Sequence, residues 1–571
     1  MPSCIFPPAL IYIGAAILVP SLRGRIRDVF ILLVPVIAFA QLLTFTPGEF
    51  WTIPFLDDYQ LILLKVELIR LCFAYVFVIL SFLATLYALH IKQPGQHVAG
   101  LFYVGASLGV VFAGDYFTLF VFWELMAVSS AAVILSRNNR SSRHAAYRYL
   151  LVHIAGGACL MAGIVFQLAA TDSIAVVTPA PGLPFYLILI GFCLNAAVPP
   201  LSAWLSDAYP EASVTGAIYL TAYTTKTAVL VLALVFSGTE LLIWAGAIMT
   251  LYGVVFAMLE NDIRRLLGYH IISQVGYMVC GVGLGTELAV DGATSHAFSH
   301  ILYKGVLFMG AGAVIHATGR RRMSELGGIL RKMPLTFILY MIGAFSIAGA
   351  PGWNGFISKS MIITAASDVH MPVIELMLVL ASIGTFLSTG LKLPYYTFIA
   401  PDRGIKVGRL PKNMTAAMIG GAFLCTLFGI FPDLLYRLLP FASEYHPYTA
   451  DHIFGSLGCM IATGLVFMIF ARYLGGHMTI TTDTDWFYRK AGNYLLRFTE
   501  GPLDNGALAF TRFVVRSVEN VTNAIYHPGS IIRTSDSSAA ARGTLIQSIG
   551  IGVGLTSVVG IMYLIFFYFS V

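Results

Sequence analysis

The chain has 571 residues, of which 58% are hydrophobic and only 11% are charged. Because soluble proteins are on average about one-quarter charged, this composition excludes a globular enzyme with a charged surface, a disordered chain and a nucleic-acid-binding protein. The 34 Lys and Arg residues against 28 Asp and Glu residues give a net charge of +6. The chain is therefore an all-α polytopic membrane protein, with at most roughly 14 to 16 helices at about 20 residues per span.

The apolar runs predict the transmembrane helices in chain order. Runs long enough to cross a bilayer lie near residues 9–21, 29–46, 68–89, 98–114, 117–135, 149–170, 184–200, 214–236, 241–259, 268–285, 294–315, 334–349, 372–391, 413–431, 452–473 and 547–569. No basic residue precedes Arg23. We therefore expect the first run to be a true span and not a cleaved leader.

The loops between these runs alternate in charge. The basic loops contain Arg23, Arg25, Arg27, Lys92, Arg137, Arg140, Arg143, Arg148, Arg264, Arg265, Arg320, Arg321, Arg322, Arg331, Lys332, Arg403, Lys406, Arg409 and Lys412. The intervening loops contain Glu49, Asp57, Asp58, Asp115, Asp172, Glu240, Glu287, Asp291, Asp368 and Asp433. Applied to a bacterial inner membrane, the positive-inside rule then predicts that the basic loops are cytoplasmic and that the N-terminus is periplasmic.

We predict five parts along the chain. They are N-terminal transmembrane helices (1–97), a core of two repeats (98–400), C-terminal core helices (401–475), a cytoplasmic amphipathic segment with a linker (476–546) and a final transmembrane helix (547–571). Apolar residues recur among basic ones over 485–525, which is typical of a helix, roughly 60 Å long, on a membrane surface or a neighbouring subunit. A loop with two short surface helices is the alternative. The Ser/Ala-rich stretch 530–542 predicts a flexible linker.

The cysteines and the known nucleotide motifs indicate no cofactor. The seven cysteines are scattered singly at positions 4, 72, 159, 193, 280, 425 and 459, without a C-x-x-C pair. We expect them to be small apolar side chains in the core, not ligands of zinc or iron–sulfur clusters. There is no G-x-x-x-x-G-K-[ST] loop, so we predict an ion gradient or a partner as the driving force.

Two charged residues stand alone inside apolar spans. Glu124 follows Phe122 and Trp123, with no Lys or Arg within one helical turn, and Lys226 lies in the middle of its span. Burying such groups in a bilayer is costly, and Lys226 is too far from either end of its helix to reach water. An ion or proton role is one interpretation of each; a satisfied structural side chain is the other.

A third group is a ladder of titratable side chains. His296, His300 and Lys304 are spaced by four residues, which places them on one face of a helix. Neutral histidine both donates and accepts, and a desolvated lysine releases its proton more readily. The ladder therefore suits a proton relay, whereas the alternative is a polar seam between helices.

Two of the predicted helices are interrupted. Pro199 and Pro200 remove two backbone donors just after Asn195, and Gly349 to Gly352 interrupts another span before Lys359. Unwound backbone at bilayer depth lines cavities or packs on protein, and corresponding breaks in two halves of a transporter indicate the ion site. The 164 residues from Asn195 to Lys359 predict two similar repeats of about five helices.

Other charges lie at predicted helix ends. Lys392 precedes Leu393 and Pro394 at a predicted cytoplasmic end, where an interfacial anchor and a channel residue are both open interpretations. Lys65, Glu67 and Arg70 predict an interfacial ion-pair cluster.

At these positions the sequence resembles the antiporter-like subunits shared by respiratory complex I, membrane-bound hydrogenases and Mrp-type multisubunit sodium/proton antiporters. The resemblance covers roughly residues 60–400. It rests on F-W-E-L-M at 122–126, P-L-S-A-W-L-S-D-A-Y at 200–209, Lys226, the H-x-x-x-K pattern from His300 to Lys304, G-F-I-S-K at 355–359 and G-L-K-L-P-Y-Y at 390–396. The last of these is most similar to the D-type subunit of the Mrp antiporters.

The resemblance implies a fold of about 14 core helices in two inverted five-helix repeats with two broken helices. It implies a proton pathway through Glu124, Lys226, His296, His300, Lys304 and Lys359, with Asn195, Asp207, His270 and Lys392 as further candidate positions. In the family mechanism the Glu pairs with a Lys on the first broken helix, and breaking that pair releases protons along the central row. At about 4 Å such a pair is worth on the order of 4 kcal/mol at an effective dielectric of about 20.

Two positions depart from the family pattern. Asn195 stands nine residues before Trp204, where relatives carry the broken-helix Lys, and Gln274 stands where many relatives have His. An asparagine carries no proton, so Glu124 would lack its usual partner. Either Lys226 takes over the pairing, or this subunit has lost autonomous pumping and couples or supports its complex.

The leading expectation is a subunit of an Mrp-type antiporter complex that couples proton translocation to monovalent cation (Na⁺) exchange, with other integral membrane subunits as partners and the lipid bilayer as its surroundings. A second is the proton-pumping arm of a complex I-like NADH:quinone or hydrogenase complex, which would make the chain part of an oxidoreductase. A third, motivated by Asn195, is a non-pumping structural subunit.

Overall fold

The computed structural model describes residues 6–56, 58–441, 444–471, 473–475, 483–484, 486, 490, 494, 497, 501–502 and 504–526. These residues are predominantly helical, as the composition predicted. The chain divides into two units, residues 1–485 and 486–571. All elements described below belong to the first unit except the last helix.

The N-terminal region combines helices with a hairpin. It contains α1 (Pro8–Leu18), α2 (Gly24–Leu42), β1 (Gly48–Phe55), β2 (Tyr59–Val66) and α3 (Leu68–Ala88). The sequence indicated only an acidic loop before α3. The structure instead pairs β1 and β2 antiparallel, with Gly48 opposite Val66 and Phe55 opposite Tyr59. Both strands contain β-branched and aromatic residues, which favour a pleated surface.

The helices of the first half follow the predicted spans. They are α4 (Pro94–Phe112), α5 (Tyr116–Leu135), α6 (Arg140–Thr171) and α7 (Leu183–Asn195). Asp115 caps α5 by accepting a hydrogen bond from the Thr118 amide, and Asn139 caps α6 through Ser142. These caps satisfy amide groups that have no partner within the helix.

The first predicted break is confirmed at the end of α7. Pro199 and Pro200 supply no amide hydrogen, so the helix cannot continue through them. The chain resumes in α8 (Ala203–Ala208), α9 (Gly216–Leu220) and α10 (Tyr223–Val235). The Trp204 indole donates to the Leu194 carbonyl at 3.0 Å, which satisfies one of the acceptors that the break exposes.

The second half contains α11 (Glu240–Leu259), α12 (Ile263–Leu284), α13 (Glu287–Thr318), α14 (Pro334–Ala348), α15 (Asn354–Asp368) and α16 (Pro372–Thr385). The second predicted break lies between α14 and α15. Gly349 ends α14 with φ of 77°, a left-handed conformation that glycine adopts without strain. A methyl group at Gly355 would overlap the Ser346 carbonyl oxygen, so only glycine allows the two half-helices to approach this closely.

The C-terminal part begins with an irregular continuation of α16. Wide π-helical turns follow it at Phe386–Lys392 and Tyr395–Ile399. Next come α17 (Lys412–Ile430), α18 (Asp433–Tyr436) and α19 (Ala450–Phe470). In the second unit, α20 (Asp504–Tyr526) lies within the predicted amphipathic segment and exposes Phe510 and Phe513. The predicted linker 530–542 and final span 547–571 lie outside the described residues.

The described residues contain 11 helices long and apolar enough to cross a membrane. Three shorter apolar helices, Pro8–Ser21, Leu183–Asn195 and Pro334–Ala348, accompany them. Apart from the β1–β2 hairpin, the predicted helical polytopic architecture with about 14 core helices and two interrupted helices is thus confirmed. The last two of these three shorter helices, α7 and α14, are the interrupted ones.

Contacts between loops bring together segments that the charge pattern assigns to the same side of the first unit. Glu211 pairs with Arg137 at 2.8 Å and with Arg321 at 2.9 Å, so basic loops far apart in sequence meet. On the other face, the Tyr59 hydroxyl donates to Asp172 at 2.5 Å. We refer to these as the basic face and the acidic face.

Candidate functional site

Lys226 lies at the start of α10, where the backbone between α9 and α10 is irregular. Its side chain is fully buried. The ammonium Nζ donates to the Thr221 carbonyl at 2.6 Å and to Thr225 Oγ1 at 3.0 Å. Within the described part of the chain no carboxylate pairs with it. The lysine is therefore held by dipoles alone, which costs free energy in an apolar interior.

The predicted ladder on α13 lies beside Lys226. His296, His300 and Lys304 are all fully buried. Lys304 Nζ donates to the Leu267 carbonyl of α12 at 2.9 Å. Neither ring nitrogen of His300 has a hydrogen-bond partner among the residues that the structure describes. Lys226 is close enough for its charge to act on His300 and on Lys304.

The other end of the ladder, at His296, contacts the second interrupted helix. His296 Nδ1 lies 2.9 Å from Ser358 Oγ, one residue before Lys359. Lys359 Nζ donates to the Ile347 carbonyl at 2.7 Å and to Ser382 Oγ at 3.3 Å. It also lies 5.0 Å from the centre of the Tyr277 ring, within cation–π range.

Lys359 borders a cavity of about 310 Å³ between α15, α16 and α19. Its lining includes Lys359, Glu375, Ser382, Asp451, His452 and Cys459. Glu375 lies in the first turn of α16 and Asp451 in the first turn of α19, both at the acidic face. The cavity thus leads from Lys359 towards that face.

A branch of polar side chains connects the ladder to the basic face. The Tyr303 hydroxyl donates to Gln274 Oε1 at 3.3 Å, and Gln274 Nε2 donates to Thr385 at 3.4 Å. Gln274 therefore keeps a polar link where relatives have histidine. Further along α12, His270 Nε2 lies 2.6 Å from Ser388 Oγ in the π-helical segment.

Lys392 follows on the same π-helical segment. It is only 2% exposed, so it is not an anchor at the surface of the chain. Its Nζ donates to the Met258 carbonyl and, at 3.1 Å, to the Glu260 carbonyl. A lysine that satisfies the last carbonyls of α11 caps that helix favourably.

Glu124 on α5 is half-buried and lies against Gly157 of α6. A methyl group at position 157 would overlap its Oε1 atom. Oε1 has no hydrogen-bond partner in the described ranges, and no ion pair there joins Glu124 to Lys226. Asn195 is 1% exposed at the end of α7.

Two other sequence candidates form ion pairs. Asp207 accepts two hydrogen bonds from Arg148, at 2.7 and 2.8 Å, which joins α8 to α6. The predicted interfacial cluster is confirmed, with Lys65 at 3.5 Å and Arg70 at 2.8 Å from Glu67.

Two residues of this region were missed in the sequence. His153 is 1% exposed on α6 and faces Asn195. A lone histidine on an apolar helix carries no spacing signal, so nothing in the sequence distinguished it from a core side chain. Asp483 is the other, because it lies in a polar stretch that predicted only surface structure.

Asp483 is buried against three helices of the first unit. Its carboxylate accepts hydrogen bonds from the Tyr252 hydroxyl of α11, from Tyr269 of α12 at 2.7 Å and from Ser206 of α8 at 3.4 Å. It is 5% exposed. Three hydroxyl donors stabilise the buried carboxylate without a basic partner among these contacts.

Comparison with known proteins places this site within a family. Residues 113–388 match the family described as NADH:quinone oxidoreductase/Mrp antiporter, transmembrane. The matched range contains Glu124, Lys226, the α13 ladder and Lys359. Lys392 lies just beyond it.

Relatives and a solved structure extend the match. The chain is 27% identical over 559 residues to the A-type subunit of the Na⁺/H⁺ antiporter of Alkalihalophilus pseudofirmus, covering 83% of this chain and 69% of that protein. It is 33% identical over 300 residues to the N-type subunit of the NADH-quinone oxidoreductase of Desulforudis audaxviator, covering 49% and 60%. A chain of the membrane-bound sulfane sulfur reductase, an archaeal respiratory membrane complex, matches in fold at 22% identity with a TM-score of 0.70, covering 97% and 99%.

Proposed function

Because residues 113–388 make this chain a member of the antiporter-like subunit family shared by NADH:quinone oxidoreductases and Mrp antiporters, we propose that it conducts protons within a multisubunit membrane complex. The finer assignment we propose is a subunit of the D type in an Mrp-type complex that exchanges Na⁺ for H⁺. The motif at 390–396 supports the D type, and the relationship to a component of an Na⁺/H⁺ antiporter supports the exchange.

One observation carries the proposal: Lys226, Lys304 and Lys359 are each at most 3% exposed, and none has a carboxylate partner in the described ranges. A buried lysine that only stabilises a fold is normally paired, because an uncompensated buried charge costs several kcal/mol. Lysines that pass a proton along a row need no permanent counter-ion. The ammonium groups of these lysines donate hydrogen bonds to backbone carbonyls and hydroxyls, which do not neutralise the lysine charge.

We call Glu124, Lys226, His296, His300, Lys304 and Lys359 the row. We propose a role for each of these side chains. Glu124 is the gating carboxylate, Lys226 the central carrier, and His296, His300 and Lys304 the relay. Lys359 is the terminal exchange residue, since the 310 Å³ cavity beside it leads to the acidic face. The branch through His270 and Lys392 approaches the basic face.

We place the complex in the bacterial inner membrane, with the basic face cytoplasmic and the N-terminus periplasmic. The charge segregation between the two faces supports this orientation. Protons and monovalent cations are the transported species, and other integral membrane subunits are the partners. The row moves protons between titratable side chains and calls for no cofactor.

A second candidate is the proton-pumping membrane subunit of an oxidoreductase complex. It is favoured by the fold match to the sulfane sulfur reductase chain, which spans 97% of this chain. Native co-purification separates the two, since iron–sulfur and quinone-binding partners indicate the oxidoreductase and small Mrp subunits the antiporter.

Reconstitution of the native complex tests proton conduction. The complex is placed in liposomes, and internal pH is followed with a fluorescent dye after a Na⁺ gradient or the electron donor is applied. We expect Glu124→Gln and Lys226→Ala to abolish the signal. Lys332→Ala is the matched control, because Lys332 forms an exposed pair with Asp402.

The structural-subunit alternative predicts a different result. If both row variants assemble and transport as the unaltered complex does, the chain is a scaffold. A monomer that exchanged Na⁺ for H⁺ by itself would contradict the role as a subunit.

A further inference from the structure

Asn195 occupies the position at which the family resemblance places a lysine, and its surroundings contain another titratable group. The imidazole of His153 faces the Asn195 carboxamide. Both residues are 1% exposed, and none of their side-chain nitrogen or oxygen atoms has a hydrogen-bond partner in the part of the chain that the structure describes. A buried polar pair of this kind is costly unless the two groups serve each other or a passing proton.

Aromatic neighbours fix the orientation of this imidazole. The His153 ring lies 4.1 Å from the Tyr149 ring and 4.7 Å from the Trp204 ring, measured between centres. Trp204 is itself held by its hydrogen bond to the Leu194 carbonyl, beside Asn195. The histidine is therefore positioned by the first interrupted helix, although it lies on α6.

On the α5 side, Glu124 lies against the same face of α6 that carries His153. Gly157 follows His153 by four residues on α6, which places it on the same helix face about 6 Å along the axis. Glu124 occupies the space that a side chain at Gly157 would fill. The carboxylate and the imidazole thus reach the same stretch of α6.

On the α10 side, a series of hydroxyl groups lies between His153 and Lys226. Tyr149, whose ring contacts the imidazole at an angle of 37°, has its hydroxyl 2.9 Å from Ser130 Oγ and 3.5 Å from Thr224 Oγ1. The next residue, Thr225, accepts a hydrogen bond from Lys226 at 3.0 Å. Hydroxyls both donate and accept, so they suit proton transfer between the two cationic sites.

We propose that His153, oriented by the rings of Tyr149 and Trp204, carries the proton between Glu124 and Lys226 in place of the lysine that position 195 lacks. One ring nitrogen accepts a proton from the Glu124 side, and the other releases one to the hydroxyls of Tyr149 and Thr224. The imidazole returns to its neutral form and no covalent bond changes. This proposal rests on the proton conduction proposed above and names a group for one of its steps.

The test uses His153→Gln in the native complex reconstituted in liposomes. Glutamine keeps a buried polar side chain but exchanges no proton, so we expect loss of proton transport with assembly retained. The second variant, His153→Gln with Asn195→Lys, returns a titratable group to the adjacent helix and should restore transport. His97→Gln is the control, because His97 is equally buried but bonds to the Ile91 carbonyl at 3.0 Å, outside the row.

Each other outcome is informative. Full transport by His153→Gln while Glu124→Gln is inactive overturns the role of His153 and leaves proton conduction intact. Loss of transport without rescue by Asn195→Lys in an assembled complex shows that His153 acts only by packing. Unchanged transport in both His153→Gln and Glu124→Gln contradicts proton conduction through this chain.

Discussion

Nδ1 of His296 lies 2.9 Å from Oγ of Ser358, and this contact joins the ladder on α13 to the second interrupted helix. The other ring nitrogen lies 3.3 Å from the Tyr303 hydroxyl on the same helix as His296. The imidazole thus has one partner on each side. Its orientation depends on α15, whose next residue is Lys359.

Ser358→Ala removes this contact while changing one atom. We expect proton transport by the reconstituted complex to fall, because His296 loses the partner that directs it towards Lys359. Stability should fall by about 1 kcal/mol, the usual net contribution of one hydrogen bond.

Ser367→Ala is the control for this variant. Ser367 lies on the same helix, is exposed near its C-terminal end and is not part of the lining of the cavity beside Lys359. Equal transport by the two variants would remove Ser358 from the pathway.

Gly157→Ala tests the space that Glu124 occupies. The added methyl group would overlap Oε1 of Glu124, so the carboxylate must move away from α6. We expect transport to be lost and stability to fall by about 1–3 kcal/mol through overpacking. Gly464→Ala on α19 meets nothing within 4 Å and should leave both measurements unchanged. A transport-competent Gly157→Ala complex would show that the position of Glu124 is not critical.

Cys459 reports on the cavity beside Lys359. A chain retaining only this cysteine should react with a small, positively charged methanethiosulfonate reagent added at the acidic face, because Cys459 lines the cavity and Glu375 and Asp451 attract cations. Modification should also reduce transport by filling the space. A chain retaining only Cys425, which is fully buried, should not react. Equal labelling of the two would mean that the cavity is closed to water.

Glu211 gives the basic face a defined dependence on pH. Partial burial alone would raise the pKa of Glu211, but Arg321 and Arg137 outweigh it and hold this pKa below its usual value. Its stabilising contribution is therefore complete above about pH 4.3, the ordinary value for Glu. It is lost as pH falls through the lower value of the folded state.

Thermal unfolding of Glu211→Gln in detergent checks this expectation. At pH 7.5 the variant should be less stable by on the order of 1 kcal/mol for each partly exposed ion pair. At a pH below the folded-state value the difference should disappear. A difference of the same size at both pH values would show that the ion pairs with Arg137 and Arg321 are not its cause.

The spans and the two breaks were predictable because both depend on local properties. Uninterrupted apolar runs must be helical in a membrane, and Pro199, Pro200 and Gly349 end helices through their own backbone chemistry. The β1–β2 hairpin was missed since acidic residues at its turn, such as Asp58, also fit a loop. The ladder on α13 was predictable for a similar reason, because its three members lie on one helix at a spacing of four residues, close to one helical turn.

The surroundings of Asn195 were not predictable in this way. His153 lies 42 residues before Asn195 in sequence, and only the packing of α6 against α7 and α8 brings them together. The same holds for the cavity beside Lys359, which needs α16 and α19. Alternatives that the sequence left open for Glu124, pairing with Lys226 or loss of function, therefore omitted a histidine that only tertiary structure reveals.

The burial of Asp483 has a mechanical consequence. Asp483 accepts a hydrogen bond from Tyr269, and Tyr269 immediately precedes His270 on α12. A displacement of Asp483 would act on α12 at this contact, one residue from His270 of the polar branch. A neighbouring subunit that displaced Asp483 would thus act on α12 without contacting any member of the row.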